Sequence, residues 1–293
     1  MTKKLDNIFK NSKRLFIDDN TKMVIMSDCH RGAGDNFDNF IKNQNIFQAA
    51  LRYYYANGFT YIELGDGDEM WEIENYKDII NIHLDSFKQM KKFHDSGRLI
   101  MIYGNHDIVK KSPEILEKYF YKYYDTETKK DESLLDGLTV YESLILNYKN
   151  YDIFVVHGHQ VDFLNSTLWK FSRFLVRNIW KNLEHTGISD PTGAAKNYGV
   201  TRNTEKRLEE WSTKNNKILI AGHTHRPIFP KIGQSLYFND GSCIHPNGIT
   251  CLEIENGNIT LVKWEFELKS NEVISAGRKV LDGNEPIVDF FKE

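Results

Sequence analysis

The stretch Arg98–Lys110, RLIMIYGNHDIVK, decides how the rest of the chain is read. Leu99 to Tyr103 make a short apolar run, the pattern of a buried strand. The chain then turns at Gly104 and sets an amide, an imidazole and a carboxylate in a row: Asn105, His106 and Asp107. Such groups are costly to bury unless something bonds them. Four other apolar runs end the same way: KMVIMSDCH, FTYIELGDGDEMW, YDIFVVHGHQVD and KILIAGHTHRP.

Between the first runs lie segments with helical spacing. Phe40–Ala56 carries Ile46, Phe47, Ala50, Leu51 and Tyr54 on one side and is closed by Asn57-Gly58. Ile79–His94 carries Ile79, Ile80, Leu84, Phe87 and Phe93. Strand–helix–strand alternation predicts a largely parallel sheet covered by helices. The C-terminal third differs. SLYFNDGSC, GITCLEIENG and NITLVKWEFEL are strands with no helix between them, and ENGN is a hairpin turn. They predict a second sheet that packs on the first and mixes in antiparallel hairpins. The fold class is α/β with two mixed sheets. Residues 1–293 are read as one domain, with a helical insertion at about 161–216, Val161 to Asn216, between two motif-bearing strands.

The bulk composition narrows the function. A chain of 293 residues, 40% hydrophobic and with 6 Pro, is long and apolar enough for a well-buried core without a disordered linker. A formal net charge of −3 gives no basic footprint, so no stable nucleic-acid partner is expected. The odd number of cysteines, Cys29, Cys243 and Cys251, suggests reduced thiols and a cytoplasmic location. The opening MTKKLDNIFKNSKRLF lacks the apolar core of a signal peptide. No apolar run is long enough to span a bilayer, which leaves only peripheral membrane contact open.

In a parallel α/β sheet the strand C-termini gather at one edge, and the site lies there. The polar ends bring Asp28 and His30, Asp66, Asn105, His157, and His223 and His225 to that edge. Alternation along extended chain places Asp28 and His30 on one side, and likewise His223 and His225. Carboxylate and amide oxygens mixed with imidazoles suit divalent Mn, Fe, Zn, Ni or Co, and the lack of thiolates argues against a structural zinc site. Two such ions about 3.5–4 Å apart clamp both oxygens of an in-line displacement at phosphorus.

The ordered motifs D-x-H, G-D, G-N-H-D, H-G-H and G-H-T-H, from Asp28 to His225, resemble the calcineurin-like metallophosphoesterase superfamily. The resemblance implies a four-layer α/β/β/α sandwich. It implies that Asp28, His30, Asp66 and His225 bind one metal and that Asp66, Asn105, His157 and His223 bind the other. It also implies that hydroxide activated by the pair attacks phosphorus. His106 would stabilise or protonate the leaving oxygen, and Asp107 would orient His106. The implied activity is hydrolysis of a phosphodiester, pyrophosphate or phosphomonoester in a small or lipid-linked substrate. A protein Ser/Thr phosphatase and a non-catalytic scaffold of the same fold are the alternatives.

Glu69 and Trp71 in GDGDEMW are similar to the G-D-x-x-E-x-W form of the UDP-2,3-diacylglucosamine hydrolase branch. That branch carries G-N-R-D and H-G-D where this chain has G-N-H-D and H-G-H. It also carries a helical cap. In the corresponding insertion here, Lys170, Arg173, Arg177 and Lys181 form a basic stripe beside Trp169, Phe171, Phe174 and Trp180. The cap either packs on the sandwich or uses Arg173 and Arg177 to hold an anionic, partly apolar substrate. Arg31 is a phosphate clamp or a surface salt bridge. His159 and Asp162 are expected behind the metal ligands. Asp68, His83, His94 and His185 are expected to face water, and His245 to play no part in the site. Cys29 is expected to point into the core.

Overall fold

The computed structural model describes residues 2–35, 38–73, 75–162, 198–269 and 273–291. The opening stretch supplies strand β4 (Leu99–Ile102), flanked by β3 (Thr60–Leu64) and β7 (Val140–Tyr141), with β2 (Lys22–Met26) beyond β3. These four strands run parallel, as the strand–helix alternation requires. On the other side of β2 come β12 (Ile249–Glu255), β13 (Asn258–Leu268) and β14 (Ile274–Pro286), all antiparallel. This seven-stranded sheet is one layer. The other sheet has five strands in the order β1 (Lys13–Ile17), β8 (Ser143–Tyr148), β9 (Tyr151–Val156), β10 (Ile218–Ala221) and β11 (Tyr237–Asn239).

The expected placement of the C-terminal strands needs correction. Only β11 joins the second sheet; β12 to β14 extend the first. The reason is visible in β12, which is buried on both faces from Ile249 to Ile254. A strand of that kind belongs inside a large sheet with a layer on each side. The ENGN hairpin forms as expected, with Asn256 and Gly257 both at positive φ.

Period-two alternation sorts the side chains into three cores. Met23 and Ile25 of β2, Ile62 and Leu64 of β3, Ile153 and Val155 of β9, and Ile218 and Ile220 of β10 meet between the sheets. Val24, Met26 and Tyr61 face α2 (Gln44–Ala56), α3 (Tyr76–Ile82) and α4 (Leu84–Asp95). Phe154, Val156, Leu219 and Ala221 face α1 (Thr2–Asn11) and α6 (Tyr198–Asn215), where Leu208 and Trp211 are buried. The result is an α/β/β/α sandwich. Each fully buried Leu, Ile or Phe contributes about 1.5–3 kcal/mol, so the alternation fixes the register firmly.

Two helical expectations change in detail. The segment read as Ile79–His94 is two helices that meet at His83. His83 is fully buried, not exposed: its Nε2 lies 2.7 Å from Asp38 Oδ2 and its Nδ1 2.6 Å from Gln44 Oε1. Those two partners hold the residue out of helical geometry. Of the expected insertion, Tyr198–Asn215 forms one helix; residues 163–197, which include His185, lie outside the described residues.

Candidate metal centre

Every expected ligand follows the C-terminal end of a central strand. Asp28 and His30 follow β2, Asp66 follows β3, Asn105 follows β4, His157 follows β9, and His223 and His225 follow β10. The local geometry, however, is not the extended chain that alternation assumed. Asp28, His30, Asp66, His223 and His225 all have left-handed backbones, with φ of 52°, 48°, 49°, 67° and 55°. Asp and His tolerate that region better than most residues, and such strain clusters at functional sites. Each left-handed residue bends its strand end inward, so the side chains converge.

Cross-links between the loops hold these bends. Asp28 N donates to Gly65 O at 3.0 Å, His30 N to Asp66 O at 2.9 Å, and Gly222 N to His157 O at 3.0 Å. Two glycines are required by close approach. A Cβ at Gly104 would sit 2.1 Å from Asp66 Oδ1, and one at Gly222 would sit 2.2 Å from Ser27 Oγ and 2.6 Å from Asp28 Oδ2.

The convergent atoms form two half-sites that share one oxygen. In the first, Asp28 Oδ1 is 3.0 Å from His225 Nε2 and 3.7 Å from His30 Nε2, and Asp66 Oδ2 is 3.9 Å from His30 Nε2. In the second, the same Asp66 Oδ2 is 3.2 Å from His157 Nε2, and His223 groups with them. Asp28 Oδ1, Asn105 Oδ1, His157 Nε2 and His223 Nε2 are buried without a hydrogen-bond partner. His157 shows why this matters. Its Nδ1 lies 2.8 Å from the Leu64 carbonyl, which can only accept. Nδ1 therefore carries a proton, which leaves Nε2 as the atom turned toward the Asp66 carboxylate. A buried carboxylate this close to an imidazole nitrogen calls for a positive charge between them, a metal ion or a proton on Nε2. Without a metal the proton serves: burial pushes His157 down, but the Asp66 and Asp28 carboxylates more than offset this and raise it to about 9.

His106 lies beside the first half-site, with its ring 4.7 Å from the His30 ring and stacked 4.4 Å over Trp71. Its expected support is corrected. Asp107 does not touch His106: it accepts from Gly104 N at 2.7 Å, Gly67 N at 3.1 Å and Lys110 Nζ at 2.9 Å. The supporting carboxylate is Glu69, whose Oε2 lies 2.7 Å from His106 Nδ1 and 3.1 Å from His30 Nδ1. Burial pushes Glu69 up, but the two imidazoles hold it down at about 2. An ionised carboxylate only accepts, so both Nδ1 atoms donate and both Nε2 atoms are left for chemistry.

Arg31 is corrected as well. It is neither a phosphate clamp nor a surface residue. It is fully buried, bidentate to Glu63 at 2.8 and 2.9 Å, and bonded to Asp68 at 2.6 Å. Asp68 is buried with it, not exposed, and binds Lys110 Nζ at 2.6 Å. This network of Arg31, Glu63, Asp68, Asp107 and Lys110 ties together the three loops after β2, β3 and β4. Its signal was Glu63, a carboxylate on the helix-facing side of an otherwise apolar strand, which demands a buried cation. Arg173 and Arg177 lie outside the described residues.

The remaining expectations sort simply. Cys29 is in the core. His159 is buried, 5.5 Å ring to ring from His157, and Asp162 Oδ2 lies 3.8 Å from His223 Nε2. His94 is bonded to the Asp136 carbonyl at an exposed position. His245 reaches the site's edge after all, lining with His225, Arg226 and Tyr198 an open cleft of about 440 Å³.

No curated protein sequence matches the chain. Solved structures similar to it include a conserved uncharacterized protein, a predicted phosphoesterase, from Streptococcus pneumoniae TIGR4 (14% identity, 89% of this chain and 97% of that one, TM-score 0.34). They also include Vps29 of Chaetomium thermophilum (8% identity, 90% and 96%, TM-score 0.39). A third is the cold-active protein-tyrosine phosphatase of a psychrophilic Shewanella species (13% identity, 92% and 83%, TM-score 0.40). The sequence profile of the calcineurin-like phosphoesterase superfamily domain matches residues 22–257, which take in all five strand ends described above. With that match over most of its length, the chain belongs to the calcineurin-like phosphoesterase superfamily.

Proposed function

We propose that this phosphoesterase works with two divalent transition-metal ions and hydrolyses a phosphodiester, pyrophosphate or phosphomonoester of a small or lipid-linked substrate. The observation that carries the reading is the set of buried carboxylate, amide and imidazole atoms without a hydrogen-bond partner that gathers around Asp66 Oδ2. Asp28, His30, Asp66 and His225 would hold one ion. Asp66, Asn105, His157 and His223 would hold the other. The mixed oxygen and imidazole donors suit Mn, Fe, Zn, Ni or Co. When bound, the pair supplies a polarised phosphoryl oxygen and an activated water at neutral pH.

The chain's own residues do the rest. Asp28 and Asp66 offset the cationic charge. Glu69 holds His30 and His106 through their Nδ1 protons, and Trp71 keeps the His106 ring flat against it. His106 Nε2–H then gives a proton to the leaving oxygen, a step that typically contributes about 10²–10⁴-fold. With Arg31 committed to Glu63 and Asp68, recognition of the substrate body falls to the insertion, including Arg173 and Arg177, and to the cleft by His225. No described helix is long and apolar enough to cross a membrane. The three free, buried cysteines suit a reducing cytoplasm. The intact donor set and the supported His106 favour an enzyme over a scaffold.

The test is hydrolysis of bis(nitrophenyl) phosphate by metal-stripped protein before and after manganese is added. Turnover that requires the added cation is expected. No hydrolysis of a diester, pyrophosphate or monoester with any of the five metals would overturn the proposal.

A further inference from the structure

Behind the candidate ligand Asp28 lies a proton-counting problem. Ser27 is fully buried, and its hydroxyl sits between two buried carboxylates. Its Oγ is 2.7 Å from Asp240 Oδ1 and in hydrogen-bond contact with Asp28 Oδ2. A hydroxyl donates one proton only. If both carboxylates were ionised, one of these two oxygen–oxygen contacts would hold no proton and would be repulsive. A second proton must therefore sit on one of the acids.

The surroundings say which. Asp28 is ringed by partners for a negative charge: Oδ2 also accepts the His223 N–H at 2.8 Å, and Oδ1 faces the imidazoles of His225 and His30. Asp240 has none of these. It is fully buried, its Oδ2 has no hydrogen-bond partner, and no described Lys, Arg or His forms an ion pair with it. A buried, unpaired carboxylate is strongly disfavoured, whereas a neutral acid needs only to spend its proton. Here it spends it on Ser27.

We propose that Asp240 is a carboxylic acid that donates to Ser27 Oγ, and that Ser27 in turn donates to Asp28 Oδ2, so that a neutral relay aims Asp28 Oδ1 at the first half-site. Burial and the nearby Asp28 charge both push the Asp240 carboxyl well above the usual carboxylate range. Asp240 is thus a positioning residue that adds no charge to the centre. The backbone reinforces the placement, because Asp240 N donates to Ala221 O at 3.0 Å at the foot of the loop that carries His223. The functional consequence rests on Asp28 being a metal ligand; the protonation of Asp240 does not.

The experiment separates the two. Infrared difference spectra of metal-stripped wild type against Asp240→Asn should show the carbonyl band of a protonated carboxylic acid at neutral pH, lost in the variant. An amide donates to Ser27 as the acid does, so Asp240→Asn should keep manganese affinity and diester turnover within about threefold. Asp240→Ala and Ser27→Ala, which break the relay, should weaken manganese binding by about 10–100-fold. Absence of the acid band, or a fall in Asp240→Asn as large as in Asp240→Ala, overturns the relay. An acid band in protein that binds no manganese would support the relay and sink the two-metal reading instead.

Discussion

Replacing Glu69 with Gln tests the support of His106 most sharply. One Glu69 carboxylate serves two imidazoles, with Oε2 at 2.7 Å from His106 Nδ1 and 3.1 Å from His30 Nδ1. Gln keeps the shape but replaces one oxygen with NH₂: at the Oε2 place that group opposes both Nδ1 protons, and at the Oε1 place it opposes the Trp71 N–H at 3.2 Å and His106 Nδ1 at 2.9 Å, a donor against a donor either way. One histidine must then change tautomer or turn away. If His106 is the one that loses its partner, most of the general-acid contribution goes with it. That is roughly 10²–10³ in kcat, or about 2.7–4 kcal/mol, for an alkyl phosphodiester whose leaving oxygen needs a proton. A nitrophenyl ester leaves without that proton and should lose only about tenfold or less. Metal affinity should also drop by about 10-fold or more through His30, so the assay is run at saturating manganese. His106→Gln should give the same leaving-group dependence. Equal losses on the alkyl and nitrophenyl esters at saturating metal would refute the reasoning and assign Glu69 to metal binding alone.

Other perturbations probe the scaffold behind the site. Lys110→Met leaves Asp107 with backbone donors only and Asp68 and Glu63 with Arg31 as the network's only cation, which should cost about 3–5 kcal/mol and lower Tm by roughly 6–20 °C; a change below about 1 kcal/mol would mean the network is dispensable. Asp152 is bonded to Arg14, to Asn147 at 2.7 Å and to Lys217 at 3.1 Å, and although burial raises its pKa, these partners hold it below the ordinary value. A folded-state pKa below the unfolded one stabilises at higher pH. The stability lost in Asp152→Asn should therefore be full above about pH 4 and fade as pH falls through the lowered folded value. A gap in stability that persists at low pH in urea titrations would contradict this. Gly222→Ala forces a methyl against Ser27 and Asp28 and should abolish metal binding by calorimetry, whereas normal binding would show that the loop yields.

Much of the site was legible because strand ends in a parallel sheet have a fixed destination. Five apolar runs, each followed by a side chain able to bind a metal, could only meet at one edge. Periodicity sends neighbours such as Val24 and Ile25, or Phe154 and Val155, to opposite faces of their strands, although in a wholly apolar run it does not say which face is which. What it could not supply was conformation after the strand ends. The left-handed turns at Asp28, His30, Asp66, His223 and His225 aim the side chains, and their φ values obey no repeat. For the same reason Asp107, the acid next to His106 in sequence, faces Lys110, while Glu69 crosses from another loop to reach the ring. Asp68 reads as a surface residue, and Arg31 as a phosphate clamp or a surface salt bridge, because charge alone suggests solvent or a ligand. Their burial depends on Glu63, Lys110 and each other. The strands of the C-terminal third could be recognised but not assigned to a sheet, because pairing partners are decided by tertiary contact.

The central claim is that Asp66 Oδ2 is shared by two cations. Elemental analysis of wild type and Asp66→Asn after manganese loading and desalting measures this directly. The account predicts about two ions per wild-type chain and a loss from both half-sites in the variant, because the amide removes the charge that offsets both neighbours. Two tightly held ions in Asp66→Asn, or a wild type that retains a single ion at saturation, would contradict it.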